Sequence, residues 1–370
     1  MEQNSYQDFF QLVRYAVGAC DQAPQIEEEE WETMFDFARK QAVLGIVYGA
    51  LQRMGKDTTI PRKLKMKWFL ITDKIKERNI LLNKRSAELT SLLQQDGFDC
   101  CVLKGQGNAL MYPEPLCRAS GDIDIFVMVK GKKQSFSERR KQLMDYVRQK
   151  YPHMGIRYQL ISYHVFPDAE VGIHFTPTFM NNPLSNHRIQ CWMEGQMVEQ
   201  CQNMVELPDG VGIISVPTVA FNVVFQLAHM MRHFFDEGIG LRQFMDYYFL
   251  LRMANGNVGI GNENLKELFC HLGLWKFAGA TMYVLKEILA LEEKYMIAPV
   301  DERRGRTLLA EILKGGNFGK YSGLTEHTTG VKYLAKIWRN LHLVHEYPSE
   351  ALCEPVFRTW HCFWRLKNKI

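Results

Sequence analysis

Val102-Leu103-Lys104-Gly105-Gln106-Gly107, continued through Tyr112, Pro113 and Arg118 to Gly121-Asp122-Ile123-Asp124-Ile125-Phe126-Val127, is the stretch on which the fold turns. An apolar run from Cys100 to Leu103 breaks at a glycine turn, and a second opens at Asp122 with carboxylates at alternate positions. Side chains on a strand alternate with period two, so Asp122 and Asp124 face one way while Ile123 and Ile125 face the other. Their Cα atoms then stand roughly 6.5–7 Å apart, and two short carboxylates can converge on one hard cation. Two like charges buried together are costly without a counter-ion, and a divalent metal removes that cost. The glycines let backbone N–H groups approach phosphates just before a short helix expected at Asn108 to Met111.

This order of parts, a strand, a Lys-Gly turn, a short helix and an Asp-x-Asp strand, resembles the DNA polymerase beta-type nucleotidyltransferase superfamily. The fuller string of Leu103-Lys104-Gly105, Tyr112-Pro113, Arg118 and Gly121-Asp122-Ile123-Asp124 is similar to its bacterial, largely uncharacterised nucleotidyltransferase branch. The resemblance implies an α+β fold, with a small mixed-sheet nucleotidyltransferase core embedded in large helical regions. It also implies Mg²⁺ (or Mn²⁺) held by Asp122 and Asp124, a nucleoside triphosphate as substrate, and an acceptor hydroxyl of unknown identity. Two such ions roughly 3.5–4 Å apart would stabilise both the attacking and the leaving oxygens of an in-line displacement. Lys104, Gly105, Gln106, Gly107, Arg118 and Gly121 are then the candidate nucleotide-binding residues. Gly105-Gln106 and Gly107-Asn108 are alternative registers for the phosphate turn.

Members of this family place a third carboxylate on a following strand, two residues before a His and an aromatic residue. Here His174-Phe175 is present, but the carboxylate position is Gly172. Glu170 lies two residues further back on the same face. Either Glu170 takes over, with a bulge adjusting its reach, or the third carboxylate is lost. His174 reads as a core histidine or as a lining residue of the cleft.

The chain has 370 residues, 46% hydrophobic and 23% charged, as in an ordinary globular protein with room for a sizeable core. A net charge of +4 from 45 basic and 41 acidic residues is too mild to indicate nucleic acid as the main partner. Nine cysteines without a Cys-x-x-Cys, two of them adjacent in an apolar run, suit a reducing compartment. The N-terminus lacks a basic leader and no apolar run reaches ~18 residues, so the expectation is a cytoplasmic protein without a membrane span.

Periodicity divides the chain into a helical region (1–97), the α/β core (98–180) and a second helical region (181–370). Helices are expected over residues 5–20, from Trp31 through Ala38, over Ala42 to Met54, and along a stripe from Leu64 to about Gln95. In the core a helix carries Phe136 to Val147, and strands are expected at Ile156 to Phe166 and Glu170 to Phe175. Lys132 and Lys133 sit in the turn before that helix, where solvation is the simpler reading than phosphate contact. The run Thr218 to Phe234 is apolar almost all round and should be buried, except for Asn222, Gln226, His229 and His233 on one stripe. Buried polar groups need partners, so the stripe meets either the nucleotide cleft or a network between helices. Arg242 and Asp246 have the spacing of an ion pair on one helix. The resembling family has a similar Leu-Arg-x-x-x-Asp feature, which makes Arg242 a candidate triphosphate ligand. Gly315 to Lys320 is too short for a phosphate loop and lacks its Ser or Thr. The aromatic, basic tail from Val331 is expected to pack on the N-terminal helices.

The leading expectation is therefore a metal-dependent nucleotidyltransferase with Asp122, Asp124 and Glu170 as catalytic residues. The alternative is a degenerate nucleotide- or protein-binding module that keeps the fold without turnover. A glycosyltransferase reading of Asp-x-Asp needs βαβ units upstream, where the sequence reads as helix.

Overall fold

A computed structural model describes residues 2–55, 58–132, 134–151, 155–255, 262–321, 337–338 and 340–367. Lys133 and the start of the tail at 331–336 lie outside the described residues.

The N-terminal region is helical: α1 (Glu2–Ala16), α2 (Trp31–Lys40), α3 (Leu44–Met54) and the 34-residue α4 (Arg62–Gln95). Glu28–Glu30 form a 3₁₀ turn at the start of α2, where negative charge suits the helix dipole. Gly97, at φ +88°, turns the chain out of α4 into β1 (Phe98–Val102). Next come the one-turn α5 (Gln106–Ala109), β2 (Ile123–Val129), α6 (Phe136–Lys150), β3 (Leu160–Ser162) and β4 (Val171–His174). Ser135 and Glu138 start α6 with a reciprocal capping box.

These strands form one mixed sheet in the order β1-β2-β4-β3, with β1 and β3 antiparallel to their neighbours and β2 parallel to β4. The fold is α+β with a small mixed-sheet core. Alternation along the strands fills two apolar cores. Cys100, Val102, Ile123, Ile125 and Val127 pack with Leu82, Leu89 and Leu93 of α4 and with Leu143 and Val147 of α6. Cys101, Leu103, Phe126 and Met128 point into the larger helical core on the other side. Asp122 and Asp124 share parity with Phe126 and Met128, so the carboxylates lie on the face covered by the C-terminal helices.

Residues 181–215 contain more than helix. After α7 (Pro183–Glu194) and α8 (Met197–Gln202), β5 (Met204–Glu206) and β6 (Ile213–Ser215) make a hairpin against β1. Three-residue strands leave too little alternation to read from sequence. The expected strand at Ile156 to Phe166 shrinks to β3 for a similar reason, with Ile156 contributing only a bridge to Ile161. From there the chain continues through α9 (Val219–Asp236), α10 (Leu241–Ala254), α11 (Asn262–Leu272), α12 (Trp275–Leu289), α13 (Glu302–Gly315) and α14 (Pro348–Lys367). Gly273, at φ +78°, makes the turn between α11 and α12. Among the described residues no single helix is long and apolar enough to cross a membrane.

The tail corrects one expectation. α14 packs against α9 and the sheet region, not the N-terminal helices: Phe357 and Trp360 meet Tyr158, and Trp364 lies under the Arg140 guanidinium. Tyr158 and Phe179 offer an aromatic surface that the helical pattern of the tail did not reveal.

Candidate active site

The residues of the opening stretch meet in a cleft of about 330 Å³ between the sheet and helices α9 and α10. Lys104, Gly105, Arg118, Gly121, Asp122, Asp124, Gln226, His229 and Arg242 line it. Leu103 N–H donates to Asp124 C=O at 2.9 Å, which brings the end of β1 beside the second aspartate. Gly105, at φ +61°, then makes the turn into α5, a conformation that glycine alone adopts freely.

Asp124 is 13% exposed and both of its carboxylate oxygens are engaged. Lys104 Nζ donates to Oδ2 at 2.7 Å, and His174 Nε2–H donates to Oδ1 at 2.7 Å. Burial alone would raise this carboxyl; the Lys104 ammonium and His174 outweigh it and hold Asp124 well below the usual carboxylate range. Asp122 differs. It is solvent-exposed at the cleft mouth, and no side chain among the described residues pairs with its carboxylate. The charge of Asp124, then desolvation, push Asp122 up.

His174 is thus a buried partner of Asp124. Gly172 is in register with Asp124 on the adjacent strand, and a Cβ there would stand 3.2 Å from Asp124 Oδ1. Glu170 uses its backbone C=O to accept from Ile123 N–H, while its side chain is exposed in a neighbouring cavity of about 430 Å³. Asp122 lines both cavities, so Glu170 lies across it from Lys104 and Gly105.

The polar stripe of α9 divides. Gln226 and His229 reach the cleft. A lysine ammonium can only donate, so the 3.1 Å contact of Lys104 Nζ makes His229 Nε2 an acceptor. His233 Nε2, 2.9 Å from the same atom, must then carry its hydrogen and donate. Burial lowers the pKa of both rings well below the usual histidine value, in keeping with neutral imidazoles. Asn222 is buried but does not line the cleft, and its Oδ1 has no hydrogen-bond partner among the described residues.

Asp246 does not pair with Arg242. It takes Arg118 instead, with Nε to Oδ1 at 2.7 Å and Nη2 to Oδ2 at 2.6 Å, and also accepts from Tyr112 Oη (2.6 Å) and Asn108 Nδ2 (3.2 Å). Gln226 Nε2 donates to Asn108 Oδ1 at 3.0 Å, which ties α9 into the same hub. Burial would raise Asp246, and Arg118 more than reverses it. Arg118 is therefore committed to a bidentate clamp between the 112–118 loop and α10.

Arg242 donates to Ala119 C=O at 2.7 Å and lies against the Phe318 ring, and its buried Nε has no partner among the described residues. Burial, then neighbouring Arg118, lower it to about 10. Gln106 points away from the cleft, donating to Asn83 Oδ1 and Asn79 C=O on α4. Gly107 packs against the hairpin, since a Cβ there would meet Val216 Cγ1 at 2.9 Å. Of the turn, Lys104 and Gly105 line the cleft, and neither Gln106 nor Gly107 does.

Sequence reasoning missed two contributors. Asn317, Phe318 and Lys320 wall the cleft, brought there because Gly238 and Gly319 pack backbone to backbone. Asn79, whose Nδ2 donates to both Leu116 C=O and Arg118 C=O, fixes the loop before Asp122. Its signal was a polar pair, Asn79 and Asn83, one turn apart on the buried stripe of α4.

Asp122, on the strand face it shares with Asp124, can accept a divalent ion, because its carboxylate has no side-chain partner among the described residues while both oxygens of Asp124 are engaged. Among the described residues no group of three or more His, Cys, Asp or Glu side chains could hold a metal. Such a donor set suits Mg²⁺, which is commonly bound through one or two carboxylates, waters and substrate phosphates.

Residues 27–290 match the family described as uncharacterised nucleotidyltransferase, and the chain belongs to that family. A crystal structure titled an antigenic nucleotidyltransferase-like protein, from Paracoccidioides brasiliensis, is similar over 61% of this chain and 96% of its own, at 11% identity and a TM-score of 0.34. So low a score carries no argument here. No curated protein matches the chain.

Proposed function

We propose that this protein transfers a nucleoside monophosphate from a nucleoside triphosphate to an acceptor hydroxyl, dependent on Mg²⁺ or Mn²⁺. The observation that carries the reading is the unpartnered Asp122 carboxylate beside Asp124, at the mouth of a cleft walled by Lys104-Gly105 and Arg242. In the reaction the acceptor oxygen forms a bond to the α-phosphorus, the bond to the bridging oxygen breaks, and pyrophosphate leaves with its electron pair. The divalent ion supplies charge stabilisation at the phosphoryl oxygens. The Lys104-Gly105 turn and Arg242 border the triphosphate, with Arg242 providing a guanidinium at the cleft wall. Gly121 leaves the approach to Asp122 open, since a Cβ built there meets nothing within 4 Å. Glu170, on the far side of Asp122, faces the acceptor and is placed to take its proton. Arg118 and His174 act as positioning residues, holding the segment before Asp122 and the Asp124 carboxylate respectively.

Pyrophosphate release measured over a panel of ribo- and deoxyribonucleoside triphosphates with Mg²⁺ and candidate hydroxyl acceptors tests this. Metal-dependent release with at least one triphosphate is expected, and it should be lost in Asp122→Asn. Nucleotide binding without release under any condition would favour the non-catalytic module instead.

A further inference from the structure

We propose that Lys104 occupies the place of a second metal ion, so that this chain works with a single divalent cation. The proposal rests on the nucleotidyl-transfer reading above. Three observations lead to it. The Lys104 ammonium sits 2.7 Å from Asp124 Oδ2, the oxygen that His174 leaves over, so neither carboxylate oxygen of Asp124 is free. Gly172 stands beside Asp124 where a third carboxylate would have to enter, and even a Cβ would crowd Asp124 Oδ1 at 3.2 Å. Lys104 is also braced from behind by His229 Nε2 at 3.1 Å, an acceptor kept neutral by burial, and His229 is in turn fixed by His233.

The charges agree with this arrangement. Two carboxylates facing one ammonium leave a formal charge of −1, so in the nucleotide-free site one divalent ion brings it to +1 and a second would bring it to +3. Two divalent ions and an ammonium around only two carboxylates would crowd like charges at contact distance, where Coulomb repulsion is strongest. A fixed ammonium needs no loading from solution. It holds Asp124 ionised and oriented before nucleotide arrives, and leaves Asp122 as the ligand for the exchangeable ion.

The test counts Mn²⁺ on the full chain by the EPR signal of the free ion. With α,β-methylene-ATP saturating, one bound Mn²⁺ per chain is expected. Two would overturn the inference and leave the proposed function standing; none would remove both. In nucleotide-free protein, Lys104→Met uncovers Asp124 Oδ2 and should bind Mn²⁺ about tenfold or more tightly than wild type, while Lys104→Arg stays near wild type. Unchanged or weaker affinity in Lys104→Met, with Lys104→Arg behaving the same, contradicts the assignment. The wild-type count decides on its own if Lys104→Met does not fold, and the nucleotide-free comparison decides if α,β-methylene-ATP does not bind.

Discussion

The two walls of one cleft hold their carboxylates in opposite circumstances. Asp246 is saturated, held by a bidentate Arg118, a tyrosine hydroxyl and an asparagine amide in a buried hub. Asp124 is saturated too, but it stands next to a second carboxylate, Asp122, that has no partner and is pushed up by its neighbour's charge. Folding alone rewards the first arrangement and penalises the second. A wall that binds its own charges completely is scaffold, and a wall that leaves one charge over is prepared for something that arrives later.

The comparison breaks most visibly at Asp246. Asp246→Ala leaves the Arg118 guanidinium buried without its anion, a change that typically costs about 3–5 kcal/mol. Urea unfolding should show that loss. A loss no larger than that of an exposed ion pair would mean that the hub is not a clamp. Arg118→Met paired with Asp246→Leu in a double-mutant cycle should recover much of it, because both charges leave together.

A third buried carboxylate sharpens the rule. Glu350, in the first turn of α14, is 3% exposed, accepts from the backbone N–H groups of Asn181 and Asn182, and pairs with no cation among the described residues. Burial raises its pKa from 4.5 to about 7. Between those values the folded state keeps a proton that the unfolded state releases, so stability is fully present below about pH 4.5 and is lost as pH rises through about 7. Buried, neutral His229 and His233 favour folding with the opposite slope, so the decline is read by thermal unfolding from pH 4.5 to 8 as the stability of wild type minus that of Glu350→Gln. A difference that rises over the window contradicts the assignment.

Smaller effects belong to the catalytic wall. Gly172→Ala inserts a Cβ against Asp124 Oδ1, and since a carboxylate can shift by a few tenths of an ångström the cost should be about 1 kcal/mol. Asp122→Asn removes a like charge and should leave stability within about 0.5 kcal/mol of wild type, or slightly raise it. Marked destabilisation by Asp122→Asn would show that the unpaired carboxylate had a structural partner after all.

Much of this arrangement was legible in the chain because it depends on local spacing. The alternation at Asp122 and Asp124, the turn at Gly105 and the buried α9 all follow from periods of two and 3.6. Pairings between distant elements were not legible. Arg242 and Asp246 have ideal helical spacing, yet Asp246 binds Arg118, because tertiary proximity outcompetes a local pair when the partner is equally buried. Gln106 and Gly107 were candidate nucleotide-binding residues through the family resemblance, but one is absorbed by Asn83 and the other by Val216. Nothing in the spacing of Asn317 to Lys320 reveals that a glycine contact with Gly238 carries that loop to the cleft.

The most direct test of the central claim is Mn²⁺-dependent binding of a non-hydrolysable triphosphate, measured by calorimetry on wild type and on Asp122→Asn. The account predicts nucleotide affinity that requires the metal in wild type and loses that requirement, together with most of the affinity, in the variant. Equal affinity in both proteins, with and without Mn²⁺, would contradict it.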